Sequence, residues 1–509
     1  LGGMACAQGM GIGKTILAGR KEKKLAIGKE MGADILVNTT KEDLHEVVMR
    51  ETRGRGMDVI LDTTGDPNML NDLLLMLRGS GTIVIPGFYE CELNGVKLDR
   101  LIAKNCTMIG AAGTPNMGRK ILDMASGIAT NALGHCHPKV IAAAEKQLHT
   151  LIHAGHNILY YEPYTTLMEK LVEKTGNKYK VYFSNSGAEA NEGAMKLAKY
   201  ATQRPVIISM KNAFHGRTMA TATITTSNAA YRKNYEPMMP SVYFAEYPYL
   251  FRTPYKMEDG KCPKEYFTQF DEIFKKIVDP SMVAAIMMEP VQGEGGYVVP
   301  PVEWLKYVRE LCDKHGIMLI FDEVQTGFGR TGNLYAWQTL GVEPDIFTSA
   351  KAIAGGLPLS AVFGKKEIMD KWAKGAHGGT YGGNPVSCAA SLAVLEELYE
   401  GGVLENVKKM GEVVRGKFYD LQKKYDVIGD VRGLGLMNAI EFVKPEDNAP
   451  DGALCAAVQA EALKRDLLLL NCGADHNNIR LIPPLNVDEA TLDTVFQIID
   501  ESIAAALKG

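Results

Sequence analysis

The stretch Gly316-Ile-Met-Leu-Ile-Phe-Asp-Glu-Val-Gln-Thr-Gly-Phe-Gly-Arg330, with Asp345-Ile-Phe-Thr-Ser-Ala-Lys351 shortly after it, decides the architecture. Gly316–Phe321 is short, apolar and bounded by turn signals, which is the pattern of a buried strand. Asp322 and Glu323 follow at its carboxyl end, where open α/β sheets place their ligands. A second strand-like run, Asp345–Ser349, leads to Lys351 and then to Gly355-Gly356. An acid and a lysine at the ends of two strands suit a pyridoxal 5'-phosphate site. There the lysine bonds the cofactor aldehyde and the acid pairs with the pyridine nitrogen. Lys351 is also set among Ala350, Ala352, Ile353 and Ala354, an unusual place for a solvated lysine.

Composition bounds the alternatives. The chain has 509 residues, 46% hydrophobic and 23% charged, as in ordinary globular proteins of two to four domains. A net charge of −4 gives no electrostatic case for nucleic acid or anionic membrane. No apolar run reaches the roughly 18–20 residues of a membrane span, and no secretory leader pattern opens the sequence. The nine cysteines never fall two or three apart, so paired-cysteine zinc motifs are not expected and no metal is assigned. Scattered thiols point to a cytoplasmic protein.

The first part alternates strand and helix patterns: Ile16–Ala18, Lys21–Met31, Asp34–Val37, Asp43–Glu51, Met57–Asp62 and Gly81–Pro86. That alternation implies a parallel sheet with crossovers. Its words include Ala18-Gly-Arg-Lys-Glu-Lys-Lys-Leu25, Lys29-Glu-Met-Gly-Ala-Asp34, Gly54-Arg-Gly-Met-Asp-Val-Ile-Leu-Asp-Thr-Thr-Gly65 and Leu77-Arg-Gly-Ser-Gly-Thr-Ile-Val84. They resemble the coenzyme domain of medium-chain, zinc-type alcohol dehydrogenases over residues 1–122. The resemblance places that family's first strand and most of its phosphate-binding turn before Leu1, with Gly2 a remnant, so the remaining sheet should have an unpaired edge. Arg20, after the second strand, would favour NADPH over NADH. Gly11-Ile-Gly-Lys-Thr15 mimics the end of a P-loop but fails at Gln8, where the first glycine belongs.

Beyond this, Asp123-Met-Ala-Ser-Gly-Ile-Ala-Thr-Asn-Ala-Leu-Gly-His-Cys-His-Pro138 resembles the entry segment of class III, fold-type-I aminotransferases, a likeness that runs to residue 509. Asn116–Gly127 fits the dehydrogenase tail as well, and Asp-Met-Ala-Ser-Gly fits both. The two resemblances together imply a chimeric chain. The expected fold is α/β: a large mixed-sheet α/β/α domain (160–385) and a smaller α/β domain (386–509, with the remnant 123–159), preceded by a partial Rossmann-like fragment (1–122). The stretch preceding Asp123 in whole class III enzymes, with a strand pair and a substrate-facing loop, is replaced here.

By this resemblance, Ser186, Gly187 and Ala188 hold the cofactor phosphate. Ser186 and Glu189 also read independently as a capping box, which leaves helix amides free for an anion. Phe214 would stack on the pyridine ring with Val324 on the opposite face, His215 and Gln325 would line the cofactor, and Asp322 would keep the ring protonated. Taken singly, Phe214 reads as core and His215 as a hydrogen-bonded loop residue. Lys351 would carry the cofactor and move the substrate proton, given a pKa lowered from its free value of about 10.4. Thr380, in Gly378-Gly-Thr-Tyr-Gly-Gly-Asn-Pro385, would reach the cofactor phosphate of a neighbouring subunit, making a homodimer with shared active sites.

Glu289-Pro-Val-Gln-Gly-Glu-Gly-Gly296, Asp430-Val-Arg-Gly-Leu-Gly435, Leu467–Gly473 and Asn478-Ile-Arg-Leu-Ile-Pro-Pro484 resemble 4-aminobutyrate aminotransferases. That likeness assigns Arg480 to the α-carboxylate of an oxo-acid acceptor such as 2-oxoglutarate and Arg217 to the distal carboxylate of an ω-amino acid. Glu294 would mask Arg480 when no α-carboxylate is present, and Glu289 would lie beside the substrate. An ordinary buried Glu294–Arg480 ion pair remains open at this stage. So do ornithine, β-alanine and diamine donors, whose enzymes share most of these words. From another class, residues 1–122 leave an NAD(P)-dependent dehydrogenase fragment as an alternative.

Overall fold

The computed structural model describes residues 13–64, 66, 69–85, 99–110 and 121–508. Gly2, Gly11, Pro86 and the segment from Asn116 to Lys120, which precedes the shared word, lie outside the described residues. The chain forms two compact units, Leu1–Lys120 and Ile121–Gly509.

The first unit carries β1 (Ile16–Gly19), β2 (Ile35–Asn38), β3 (Met57–Leu61), β4 (Leu77–Ile85) and β5 (Thr107–Gly110), with helices between successive strands. All pairings are parallel, but they make two sheets, β1-β2 and β3-β4-β5. In a doubly wound sheet of order 3-2-1-4-5-6, these pieces flank the position of the family's first strand. Among the described residues β3 pairs only with β4, and Val59 and Leu61 on it are 46% and 42% exposed. β4 begins four residues before the expected Gly81, because a register shift between Met57 and Val59 absorbs Arg78–Gly81 as a bulge. A Cβ on Gly81 would lie 3.0 Å from the Met57 carbonyl, which is why a glycine occupies that crossing. Arg20 lies 3.8 Å from Asp66 at the surface.

The second unit opens with β6 (Leu122–Asp123). Its large sheet comprises β7 (Tyr179–Ser184), β8 (Val206–Met210), β9 (Val242–Ala245), β10 (Val283–Met288), β11 (Met318–Asp322), β12 (Ile346–Ser349) and β13 (Ser360–Lys365). Their order is β7-β13-β12-β11-β10-β8-β9, with β13 antiparallel to both neighbours and the rest parallel. Central strands are apolar on both faces, as a doubly covered sheet requires. Along β11, Leu319 and Phe321 join one buried cluster, with Trp304 of helix Val302–His315, and Ile320 joins the other, with Ala194 and Leu197 of helix Gly187–Thr202. The period of two therefore assigns each side chain to one of two helical layers. A smaller sheet holds β14 (Ile428–Leu434), β15 (Met437–Phe442), β17 (Leu470–Cys472) and β18 (Asn478–Leu481), while β16 (Leu467–Leu468) pairs with β6 and ties residue 123 into this part. Among the described residues, no helix is long and apolar enough to cross a membrane.

Candidate active site

The carboxyl ends of the parallel strands converge on a cavity of about 560 Å³. Every residue assigned from the sequence to the cofactor or substrate of the aminotransferase site lines it except Thr380: Lys351, Asp322, Ser186, Gly187, Ala188, Phe214, His215, Val324, Gln325, Arg217, Glu289, Glu294 and Arg480. At one wall the helix Gly187–Thr202 begins. Ser186 accepts from Glu189 N at 3.2 Å while the Glu189 carboxylate accepts from Ser186 N at 3.0 Å, so both halves of the capping box form. The start of this 16-residue helix faces the cavity with its dipole positive end. A Cβ on Gly187 would lie 2.9 Å from Val324 Cγ1, so any other residue here would have to push the Val324 side chain aside.

β11 ends in Asp322, which is 4% exposed and held from three sides. Asn191 Nδ2 and His215 Nδ1 each donate to Oδ2 at 2.7 Å, and Val324 N donates to Oδ1 at 3.0 Å. Asn191 is held in turn: it donates to His215 O at 2.7 Å and accepts from Thr348 Oγ1 at 2.8 Å. This network fixes the carboxylate's orientation within a low-dielectric site. His215 is thereby a partner of Asp322, and its Nε2 has no hydrogen-bond partner among the described residues.

β12 leads through Ala350 to Lys351, which adopts φ +48 at the start of a short 3₁₀ turn. A lysine in the left-handed region is strained by its Cβ, as happens where function imposes a conformation. Its side chain opens onto the cavity. Burial pulls the Lys351 amine below the ordinary lysine range; Asp322 opposes this and Arg480 adds to it. Glu289 accepts from Phe214 N at 3.0 Å and Gly293 N at 2.9 Å, and burial pushes its carboxyl up to about 7. Gln325 accepts from the Tyr297 hydroxyl at 2.6 Å.

Two arginines define the far end. Arg480 Nη1 donates to Glu294 Oε2 at 3.0 Å, and the two side chains are 6% and 24% exposed. Burial opposes the Arg480 charge, yet Tyr297, Cys472 and Glu294 around it hold the guanidinium above arginine's ordinary range. Arg217 stacks 4.0 Å above the Tyr231 ring, and no carboxylate pairs with it among the described residues. Tyr231 also donates to Glu294 Oε1 at 3.1 Å and meets Phe214 edge-on at 5.5 Å.

Thr380 is exposed and does not line the cavity of its own chain. Its loop lies flat on β7, because a Cβ at Gly382 would fall 2.3 Å from Phe183 O and one at Gly383 2.5 Å from the Tyr164 ring. Sequence reasoning missed Asn191, Thr348 and Tyr231. Asn191 follows the capping box by two residues on the same helix face as the cavity, but nothing local marks Thr348 or Tyr231.

Comparison with known proteins agrees with this geometry. Residues 106–503 match the family described as Aminotransferase class-III, and residues 1–127 match the one described as Zinc-binding dehydrogenase; the two overlap across the joint. A 5-aminovalerate aminotransferase of Pseudomonas putida is 42% identical over 404 residues, 79% of this chain and 92% of that protein. A probable 4-aminobutyrate aminotransferase of Bacillus subtilis is 40% identical over 391 residues, 76% and 90% respectively. The solved taurine:2-oxoglutarate aminotransferase of Bifidobacterium kashiwanohense, in complex with PLP and glutamate, superposes with a TM-score of 0.70 at 28% identity. That match covers 75% of this chain and 88% of the other. A buried lysine and carboxylate at the ends of adjacent strands, on a fold shared with these enzymes, make this chain a member of the class III, fold-type-I, pyridoxal-phosphate-dependent aminotransferases.

Proposed function

We propose that this aminotransferase takes the amino group from an ω-amino acid of the 4-aminobutyrate type and passes it to 2-oxoglutarate. The observation that carries this reading is the asymmetry of the two arginines: Arg480 is neutralised by Glu294, whereas Arg217 has no carboxylate partner among the described residues. A substrate with a single, distal carboxylate meets one free cation and one masked one. An α-amino acid additionally needs Arg480, which Glu294 must then release. Arg480 presents a planar fork suited to a carboxylate.

The residues present fit pyridoxal phosphate. Amides at Gly187 and Ala188 suit its phosphate, Phe214 and Val324 its two faces, Gln325 its ring hydroxyl and Asp322 its ring nitrogen. Bound there, the cofactor supplies an electron sink for the carbon that loses its proton. Lys351 Nζ takes that proton and returns it to the next carbon, and its desolvated amine is a better base at neutral pH than a solvated lysine. Asp322, pinned by Asn191 and His215, keeps a negative charge facing the ring without reorganising. Glu289 holds the Phe214 backbone and the Gly293 turn in place at the substrate side.

A homodimer with shared sites completes the reading. Thr380 serves another copy's phosphate, and the surface around its loop is apolar: Ile152, Ile158, Leu159, Tyr160 and Tyr381 are 61%, 88%, 58%, 76% and 64% exposed. These segments are bound to one another, with Asn157 Nδ2 donating to Gly379 O and His153 against Tyr381. Such a contiguous patch suits burial against a second copy. We place the protein in the cytoplasm and read the chain as a chimera of 1–122, 123–159, 160–385 and 386–509, the second and last forming one small domain. The test is an amine-donor screen with 2-oxoglutarate and pyruvate as acceptors, beside Lys351→Ala. Turnover of 4-aminobutyrate with 2-oxoglutarate, lost in the variant, is expected; equal turnover of α-amino donors alone, or turnover surviving in Lys351→Ala, refutes the reading.

A further inference from the structure

We infer that Tyr231 is a positioning residue that holds Glu294 on Arg480 and so sets the preference between substrates with one carboxylate and substrates with two. The inference deepens the exchange reading above and rests on it. Glu294 uses both oxygens in the resting site: Oε2 accepts from Arg480 at 3.0 Å and Oε1 from the Tyr231 hydroxyl at 3.1 Å. The second bond matters because the phenol cannot follow the carboxylate when it leaves. One face of the Tyr231 ring carries the Arg217 guanidinium at 4.0 Å, and Phe214 abuts the ring edge-on at 5.5 Å and 81°. Tyr231 closes the short turn Ala229–Tyr231, whose start is capped by Asn228 accepting from Ala230 N at 2.9 Å. A ring fixed on two sides stabilises only the closed arrangement. Burial and the Glu294 charge raise the Tyr231 pKa, so the phenol keeps its proton to donate.

The same ring is the platform for Arg217, the cation proposed for the distal carboxylate. Cation–π contact with a tyrosine face restricts where that guanidinium points. One side chain thus serves both carboxylate positions by separate means, its face for Arg217 and its hydroxyl for Glu294. The two contributions are separable by substitution: Tyr231→Phe keeps the face and removes the hydroxyl, while Tyr231→Leu removes both.

The test measures binding of two unreactive probes to purified holoenzyme by calorimetry, with the cofactor absorbance as a second signal. Pentanoate has one carboxylate; glutarate has two and must displace Glu294 to use both arginines. Losing a hydrogen bond to a charged acceptor, discounted for partial exposure, should tighten glutarate about three- to tenfold in Tyr231→Phe while pentanoate changes less than about twofold. Tyr231→Leu should weaken both probes. A glutarate-to-pentanoate ratio within about twofold of wild type in Tyr231→Phe, with glutarate binding still dependent on Arg480, overturns the role of Tyr231 alone. Glutarate affinity that is unchanged in Arg480→Gln overturns the exchange reading and the inference with it. A merely structural role for Tyr231 would weaken both probes in parallel in Tyr231→Phe.

Discussion

Replacing Asn191 with alanine removes three hydrogen bonds from a side chain that is 1% exposed. One goes to the Asp322 carboxylate at 2.7 Å, one to His215 O at 2.7 Å, and one is received from Thr348 Oγ1 at 2.8 Å. A bond to a charged group contributes about 1.5–3 kcal/mol and a neutral one about 0.5–1.5 kcal/mol. Thr348 can fall back on Asp322 Oδ1, already 3.4 Å away, which recovers part of its loss. The net effect on apoprotein stability should be about 3 kcal/mol, read from denaturant midpoints. The part belonging to Asp322 is isolated by a double-mutant cycle with Asp322→Asn, scored on cofactor affinity by absorbance titration. If Asn191 acts by orienting the Asp322 charge, its substitution should weaken cofactor binding in the wild-type background and do little in the Asp322→Asn background. The coupling should be about 1.5–3 kcal/mol. Additivity within about 0.5 kcal/mol would falsify the orienting role and leave Asn191 as packing.

Glu294→Gln leaves Arg480 without its counter-ion; at 3.0 Å the attraction is about 5–6 kcal/mol for an effective dielectric of 20, of which solvent at the quarter-exposed carboxylate leaves about a third. kcat/KM for 4-aminobutyrate should fall about tenfold or more while that for glutamate is unchanged or rises, and a parallel fall in both argues against the masking role. Glu323, wholly buried against Ala336 N and Trp337 N, has its carboxyl pushed up by burial from 4.5 to about 7. The folded state therefore holds its proton more tightly than the unfolded one, so this group's stabilising contribution is full below pH 4.5 and is lost as pH rises to 7. Wild type should lose about 3 kcal/mol relative to Glu323→Gln over that window, and a flat difference in thermal midpoints across it contradicts the assignment. Mixing Thr380→Val with Lys351→Ala subunits should restore tight cofactor binding at sites that combine Lys351 of one chain with Thr380 of the other, whereas strictly additive behaviour means that the sites are not shared.

What was legible in the sequence is what local pattern encodes. The run leading to Asp322, the strand before Lys351 and the Ser186–Glu189 cap are each written in a few consecutive residues; the cap forms as written, and the strands start two residues and one residue later than read, at Met318 and Ile346, with Asp322 closing the first strand. The start of β4 was not legible, because Arg78-Gly-Ser-Gly81 reads as a turn while the ladder carries it as a bulge. Thr348 and Asn191 meet 157 residues apart in sequence, and Tyr231 reaches Glu294 across 63. Such pairs exist only once the sheet has brought its carboxyl ends together, and no periodicity announces them. The cavity-lining residues were found through family words, while the network orienting them needed coordinates.

The arrangement also bears on what would move in the proposed exchange at the Glu294–Arg480 pair. Arg480 sits in β18, paired in register with Ala439 of β15, and its backbone is fixed by that ladder. Glu294 belongs to the turn after β10, yet its backbone is clamped to the smaller sheet: Gly473 N donates to Glu294 O at 2.9 Å and Arg432 Nε to Gly296 O at 2.7 Å. Gly296 accepts this contact at φ +126, a conformation that a side chain would strain, and a Cβ there would lie 3.2 Å from Arg432 Nη2. With both backbones held, the proposed exchange of Glu294 for a substrate carboxylate would be a side-chain rotation rather than a loop opening. A rotation displaces one charge at nearly constant geometry, so under the proposed function the site would alternate between donors and acceptors without reassembling the wall that carries Arg480.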